Sequence, residues 1–166
     1  MLTRRTIVTQ ALSAGALLAP EIRASESRAE KSKVVTRDRY DKYVSLYNAF
    51  DPAFADFYQD DVVMETVPPL KGRAAIVAFC RELRSYVIDT LNVEYYVADE
   101  TGSASQLLGE FLCIRDIPST ALSGLFGRAV KKGQVKRQRG HILYGVKDEK
   151  FSFVRAAPPV VLQDWA

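Results

Sequence analysis

The fold is indicated most clearly by residues 57–76, which read FYQDDVVMETVPPLKGRAAI. Val62-Val63-Met64-Glu65 is short and rich in β-branched residues, so it predicts a strand. Pro68 and Pro69 end that strand, because proline cannot donate a hydrogen bond to a sheet. A helix is predicted next, over Gly72–Tyr86, with apolar residues at helical spacing opposite charged ones. Its apolar face consists of Ile76, Phe79, Cys80 and Leu83.

Two further helices are predicted before this stretch. Residues 38–49 carry apolar side chains at the i, i+3, i+4, i+7 spacing of one helix face. These are Tyr40, Tyr43, Val44 and Tyr47. Asp51-Pro52 then opens a short helix, because Asp favours the N-cap and Pro the first helical position.

The second half of the chain is predicted to form strands. Four segments alternate β-branched or aromatic residues with others: 90–98, 104–114, 134–146 and 151–157. The long connection over residues 116–133 separates the second strand from the third. Helices followed by a run of antiparallel strands predict an α+β fold with the helices on one face of the sheet.

Composition and charge exclude several classes of protein. The chain has 166 residues, 48% hydrophobic and 26% charged, which is typical of one globular domain and not of a disordered chain. Its net charge is +3, but residues 1–24 contribute +2 and the basic segment 128–139 contributes +6. The rest of the chain is therefore mildly acidic, and we expect no binding to nucleic acid.

The N-terminus resembles a bacterial export signal. Arg4-Arg5 precedes a weakly apolar stretch over 7–19, and polar residues follow, as in a twin-arginine signal peptide. We predict a signal peptide at 1–24, a polar linker at 25–36, and a periplasmic or secreted protein after cleavage. The alternative is the frayed N-terminus of a cytoplasmic protein. No apolar run reaches the roughly 18 residues of a membrane-spanning helix.

The content of cysteine and histidine limits the chemistry. Two cysteines and a single histidine, His141, exclude a Cys/His zinc framework. No glycine-rich phosphate loop and no metal-ligand set is present, so we expect no cofactor and no metal. Cys80 and Cys113 lie among apolar residues and are predicted to be buried free thiols. A disulfide between them after export is the alternative.

Four phrases of the sequence resemble the SnoaL-like branch of the nuclear-transport-factor-2-like superfamily. They are residues 43–51, 57–65, 69–76 and 140–151, which read YVSLYNAFD, FYQDDVVME, PLKGRAAI and GHILYGVKDEKF. The resemblance spans residues 40–157 and implies a SnoaL-like domain at 37–160, with 161–166 as a tail. It implies a cone-shaped, cystatin-like α+β barrel, in which a curved antiparallel sheet wraps around three N-terminal helices. The interior of such a cone is an apolar pocket.

The resemblance also suggests candidate catalytic residues. The superfamily includes ketosteroid isomerases, scytalone dehydratases, limonene epoxide hydrolases, polyketide cyclases and proteins that only bind ligands. Aligned with the isomerases, the general base falls on Thr66, one residue after Glu65. The oxyanion donors fall on Tyr43 and on Ile142, next to His141. Since Thr66 and Ile142 cannot play those roles, the candidate catalytic residues are Glu65, His141 and Tyr43. Alternatively, Glu65 faces solvent and His141 is an exposed strand residue.

Four other residues are predicted to bind a ligand. Tyr47 and Tyr58 are expected in the pocket wall, and Glu110 and Arg155 are expected on neighbouring strands. An interior Glu110–Arg155 pair would satisfy a carboxylate on a mostly apolar strand, because an unpaired buried charge is costly. The alternative is that Glu110 lies on the exposed face.

Three functions remain open at this stage. The first is the binding of a small hydrophobic ligand, which the departures at Thr66 and Ile142 favour. The second is a cofactor-independent isomerase, dehydratase or cyclase that transfers protons on a hydrophobic carbonyl or hydroxyl compound. The third is a structural dimer module that uses the outer sheet face. The superfamily suggests a homodimer. Contact with a membrane is expected only through the leader or the basic segment 128–139. The alternatives for this segment are a lid over the mouth of the pocket and a solvent-exposed entry to the β-hairpin.

Overall fold

The computed structural model describes residues 34–166. The predicted signal peptide, 1–24, and most of the predicted linker, 25–36, lie outside the described residues. Within the described part, none of the helices is long and apolar enough to cross a membrane.

Two α-helices lie where the sequence predicts them. Helix α1 spans Arg37–Asn48 and helix α2 spans Arg73–Arg84. Gly72 precedes α2 with a φ of 85°, a backbone conformation that favours glycine and accounts for the Gly-Arg phrase at the start of this helix. Each helix buries one apolar stripe against the sheet. The buried residues are Tyr40, Tyr43 and Val44 on α1, and Ile76, Cys80 and Leu83 on α2.

The predicted short helix after Asp51 is a 3₁₀ helix, Pro52–Phe57. The Asp51 side chain accepts a hydrogen bond from the N–H of Ala53 (2.9 Å), as an N-cap does. A second 3₁₀ helix, Ala121–Gly124, lies within the long connection 116–133.

In the part of the chain that the structure describes, seven strands form one curved sheet that does not close. Their order across the sheet is β2-β1-β6-β5-β4-β3, and β7 also pairs with β5. The strands are β1 (Tyr58–Met64), β2 (Leu70–Lys71), β3 (Val87–Ala98), β4 (Gly102–Cys113), β5 (Val135–Lys147), β6 (Lys150–Ala156) and β7 (Val160–Gln163). The α+β cone that the sequence predicts is confirmed.

One detail of the predicted sheet is corrected. We expected only antiparallel pairs, but β1 and β6 run parallel, with Met64 opposite Val154. A parallel pair needs a long crossover connection, and here α2 and four strands lie between the two partners along the chain. The sheet is therefore mixed.

The last residues of the chain extend the sheet. Strand β7 pairs with Arg137–Arg139 of β5. The N–H of Ala166 then donates to the carbonyl of Val135 (3.2 Å), and Trp165 is buried. The segment that we expected to be a tail, 161–166, thus includes paired backbone and a buried aromatic ring.

Among residues 34–166, the buried side chains that are described form two clusters. The larger lies between the sheet and the two α-helices and is rich in aromatic rings. The smaller fixes the long connection, where Ile117 pairs with Val130, and it includes Leu122 and Trp165. Cys80 lies in the first cluster and Cys113 in the second, and both are free thiols.

Side chains on each strand alternate between this interior and the opposite side of the sheet, here called the outer face. On β5, Tyr144 is buried in the larger cluster and Ile142 packs against it. The residues between and beside them, Leu143 and His141, are exposed. His141 therefore lies on the outer face.

Candidate functional site

A large, mainly apolar cavity of the described residues is an open groove beside α2, of about 680 Å³. We call it the α2 groove. One wall is the segment that leaves β1, the floor is α2, and the other wall comes from the second 3₁₀ helix and the residue after it. The lining residues are Glu65, Thr66, Val67, Pro68, Leu70, Ala75, Ala78, Phe79, Glu82, Leu122 and Leu125.

The floor of the groove is a second stripe on α2. Ala75, Ala78, Phe79 and Glu82 follow the i, i+3, i+4, i+7 spacing of one helix face. This stripe lies beside the buried one that includes Ile76. The two alanines are small, so the helix leaves room between itself and the leucines on the opposite wall.

The wall after β1 has few free backbone donors. The N–H of Glu65 donates to the carbonyl of Val154 (2.8 Å), and the N–H of Thr66 donates to that of Met64 (2.9 Å). Pro68 and Pro69 have no N–H. The Thr66 hydroxyl donates to the carbonyl of Pro68 (2.7 Å). Most donors of this wall are therefore used within the protein or do not exist.

Glu65 lines the groove, but its carboxylate is bound by Arg155. The guanidinium makes two hydrogen bonds to it, one from Nη2 to Oε1 at 2.8 Å and one from Nε to Oε2. These hydrogen bonds lower the pKa of Glu65. A carboxylate held in this way is a weaker base than a free one.

Tyr43 and Tyr58 lie in the larger buried cluster and do not line the groove. Their hydroxyl oxygens are 2.6 Å apart and hydrogen-bonded to each other. Burial raises the pKa of both tyrosines well above its usual value. The Tyr40 hydroxyl is also hydrogen-bonded within the core, to the hydroxyls of Ser105 (2.8 Å) and Tyr144 (3.0 Å).

Tyr47 belongs to a buried polar network that the sequence analysis missed. Its hydroxyl donates to the carboxylate of Asp89, which is 2% exposed and forms an ion pair with Arg84. Arg84 also donates to the backbone carbonyl of Tyr47 (2.9 Å) at the end of α1. The network therefore joins α1, α2 and β3. Burial and the nearby Asp89 carboxylate raise the pKa of Cys80 to about 12, so this thiol stays protonated.

A signal for Asp89 is present in the sequence. Val87, Asp89, Leu91 and Val93 have the period of two that places them on one strand face. The predicted strand began at residue 90, whereas β3 begins at Val87. Extending the strand by these residues would have placed Asp89 on the inner face.

The outer face holds His141 and Glu110. His141 Nε2 is 3.0 Å from Gln106 Oε1, and the Gln106 amide donates to Glu94 (2.8 Å). Because a carboxylate only accepts, Gln106 must present its oxygen to His141, and His141 Nε2 must carry the proton. Glu94 also accepts two hydrogen bonds from Arg139, at 2.6 and 2.9 Å.

The expected interior Glu110–Arg155 pair does not form. Glu110 pairs with Arg137 (2.7 Å), which lies directly opposite it on β5, and Arg155 pairs with Glu65. The sheet register explains the difference. Glu110 and Arg155 lie on opposite sides of β5, with Glu110 opposite Arg137 and Arg155 opposite Leu143, six residues further along. A β-bulge between Gly145 and Val146 then places Arg155, after the buried Val154, on the outer face.

Much of the charge of the basic segment 128–139 is paired. Arg128 pairs with Asp164 (3.4 Å) and Lys131 with Asp116 (3.0 Å). Arg137 and Arg139 pair with glutamates on the outer face. These partners reduce the positive charge that the segment presents to solvent.

Comparison with known proteins adds to the description of the fold. No family model and no curated protein matches the chain. Solved structures match it, among them the three that follow. A candidate polyketide cyclase from Pseudomonas putida KT2440 is 18% identical, with a TM-score of 0.60 over 72% of this chain and 87% of its own. A SnoaL-like polyketide cyclase from Agrobacterium tumefaciens strain C58 is 17% identical, with a TM-score of 0.54 over 71% of this chain and 86% of its own. A candidate ketosteroid isomerase from Kribbella flavida DSM 17836 is 19% identical, with a TM-score of 0.51 over 76% of this chain and 77% of its own.

These similarities identify the class of fold. The chain has the cone that SnoaL-like and ketosteroid isomerase-like structures share, as the resemblance predicted. At such low identities the likeness concerns the fold, and one fold hosts enzymes and binding proteins alike.

Proposed function

We propose that the protein binds a small hydrophobic ligand in the α2 groove. The observation that carries this proposal is the groove itself: about 680 Å³, with eight of its eleven lining residues apolar. Cavities of roughly 300–1,000 Å³ with mainly apolar walls are typical of sites for small molecules. The fold neighbours support a ligand-binding or isomerase-like role in general terms.

The positions of the candidate catalytic residues favour binding over proton transfer. A general base and an oxyanion donor must both reach one substrate. Tyr43 is buried and bonded to Tyr58, Glu65 is bound by Arg155, and His141 lies on the outer face. Thr66, at the position of the isomerase base, lines the groove, but its hydroxyl has no basicity suited to a carbon acid.

The alternative is a cofactor-independent isomerase, dehydratase or cyclase that uses Glu65 as its base. The observation that supports it is the presence of Glu65 and Thr66 in the lining of the groove. Turnover of a β,γ-unsaturated ketone that disappears in Glu65→Gln would favour this alternative. Ligand binding without turnover favours the proposal.

The binding proposal is tested by filling the groove. In Ala78→Phe the new ring extends from the floor into the cavity, and Ala78 is exposed enough for the helix to accept it. We expect a loss of at least about tenfold in affinity for the neutral dye Nile red, measured by its fluorescence, because the apolar contact area is removed.

A matched control is available on the same helix. Ala74→Phe makes the same change on α2 at an exposed residue that does not line the groove. It should bind the dye as the unmodified protein does. Equal binding by the unmodified protein and both variants would place the dye elsewhere and contradict the proposal.

We also propose that the protein is exported and forms a homodimer. The leader motif Arg4-Arg5 supports the first statement. Exposed apolar residues on the strands, such as Tyr95 and Leu143, support a second copy on the outer face. Native mass spectrometry of protein from its own cell envelope tests both. A chain that begins near Ser25 and a dimer mass are expected, and an intact Met1 or a monomer alone would contradict them.

A further inference from the structure

We propose that the ligand of the α2 groove is an amphipathic amine, with a protonated nitrogen on an apolar body. This inference rests on the proposed function and deepens it. It follows from the donors and acceptors in the groove lining that remain free after the protein's own hydrogen bonds have formed.

The polar side chains in the lining offer acceptors. Of the described lining residues, Glu65, Thr66 and Glu82 have polar side chains, and none carries an N–H group. Carboxylates only accept hydrogen bonds. The Thr66 hydroxyl donates its hydrogen bond to the carbonyl of Pro68, so its oxygen can only accept a hydrogen bond from a ligand in the groove.

The backbone of the floor and of the wall after β1 adds few donors. On the wall after β1, the N–H of Glu65 donates to Val154 of β6 and that of Thr66 donates to Met64, two residues earlier. Pro68 and Pro69 have no N–H, which leaves the N–H of Val67. On the floor, the N–H groups of α2 are used within the helix from Ala75 onward. A ligand therefore gains hydrogen bonds here mainly by donating them.

Glu82 adds a charge that the described residues do not neutralise. Glu65, Glu94 and Glu110 each pair with an arginine. None of the side chains that the structure describes forms an ion pair with the carboxylate of Glu82. Arg115 stacks on the ring of Tyr86 and donates to the Ser85 hydroxyl, but it forms no ion pair with Glu82.

An unbalanced carboxylate beside apolar walls complements a cation on an apolar body. An amine of ordinary basicity is protonated at neutral pH and supplies both the charge and the missing donors. The same arrangement disfavours a ligand that is an anion. It also disfavours the stabilisation of an enolate, because an oxyanion needs donors directed at it.

The experiment compares three probes that share one rigid apolar body: 1-adamantanamine, 1-adamantanol and adamantane-1-carboxylate. Affinities for the full chain are measured by calorimetry at neutral pH and low salt. We expect the amine to bind about fivefold more tightly than the alcohol, and the carboxylate to bind most weakly, as an exposed ion pair allows. The preference for the amine should shrink as salt is added.

Two variants assign this preference to Glu82. Glu82→Gln should lower the affinity for the amine about fivefold, to that for the alcohol, and leave the affinity for the alcohol unchanged. Glu100→Gln removes the same charge from the turn between β3 and β4, away from the groove lining, and should change neither affinity.

The results separate the inference from the function on which it rests. If Ala78→Phe abolishes binding of the alcohol but the carboxylate binds as well as the amine, the groove binds apolar ligands and the amine preference is wrong. An amine affinity that Glu82→Gln leaves unchanged would also overturn the preference. If Ala78→Phe alters none of the three affinities, the proposed function fails, and the inference fails with it.

Discussion

The buried polar network and the α2 groove use polar groups in opposite ways. In the network, Tyr47 donates to Asp89 and Arg84 forms an ion pair with it, so the buried charges compensate each other inside an apolar core. In the groove, Thr66 and Glu82 keep acceptor capacity that none of the described side chains uses. Polar groups that satisfy each other hold the fold together. Groups that can still accept a hydrogen bond can recognise a ligand.

The largest expected effect comes from breaking the buried network. In Asp89→Asn the side chain keeps its shape but loses its charge, so the buried guanidinium of Arg84 has no counter-charge. We expect a loss of about 3–5 kcal/mol in the free energy of unfolding, measured by urea denaturation.

The outer face supplies the control for this prediction. Glu110→Gln removes one partner of the exposed ion pair with Arg137, where solvent screens the charges. It should cost less than about 1 kcal/mol. Equal losses in the two variants would show that Asp89 and Arg84 are not a desolvated pair, and would contradict the comparison.

A smaller effect is expected from the tyrosine pair in the core. Tyr43→Phe leaves the buried hydroxyl of Tyr58 without its partner and should cost about 1–3 kcal/mol. In Tyr43→Phe/Tyr58→Phe neither hydroxyl remains, so the double variant should lose less than the two single variants together. Urea denaturation of all four proteins forms a double-mutant cycle. Strict additivity would mean that the two hydroxyls do not interact.

The smallest effect concerns pH and the outer face. Hydrogen bonds from Arg139 and Gln106 lower the pKa of Glu94 from 4.5 to about 2. The stabilisation by this carboxylate is therefore complete above its unfolded pKa and is lost as the pH falls through its folded pKa. The unmodified protein should be slightly more stable than Glu94→Gln at about pH 5, and the two should converge toward about pH 2.

Urea midpoints across this pH range measure the convergence. Arg139→Gln removes the other half of the pair and should converge with the unmodified protein over the same interval. A difference between the unmodified protein and Glu94→Gln that stays constant from about pH 5 to about pH 2 would mean that the Glu94–Arg139 contact does not stabilise the fold.

Much of the fold could be predicted from the sequence, because it depends on local periodicity. The helical spacing of Tyr40 and Tyr43 correctly predicted α1, and alternation located β4 and β5 to within a few residues. The parallel pairing of β1 with β6 was not predicted, since it joins residues that are distant along the chain.

Less of the candidate site could be predicted from the sequence, for two physical reasons. The bulge between β5 and β6 changes which residues of β6 face the interior, so alternation alone could not show that Arg155 would reach Glu65. The groove exists because Leu122 and Leu125 of the long connection lie opposite α2. From the sequence, Glu82 belonged to an ordinary charged helix face, and only this tertiary contact makes it part of a cavity.

The buried position of Trp165 gives the protein an optical reporter of its own. It is the chain's single tryptophan, and its ring stacks edge-on against Phe126, with centroids 5.4 Å apart. Phe126 directly follows Leu125, which lines the groove. The indole emission therefore comes from one place, next to the wall that a ligand would touch. A rearrangement of that wall can be followed as a change in the fluorescence of the protein, without attaching a label.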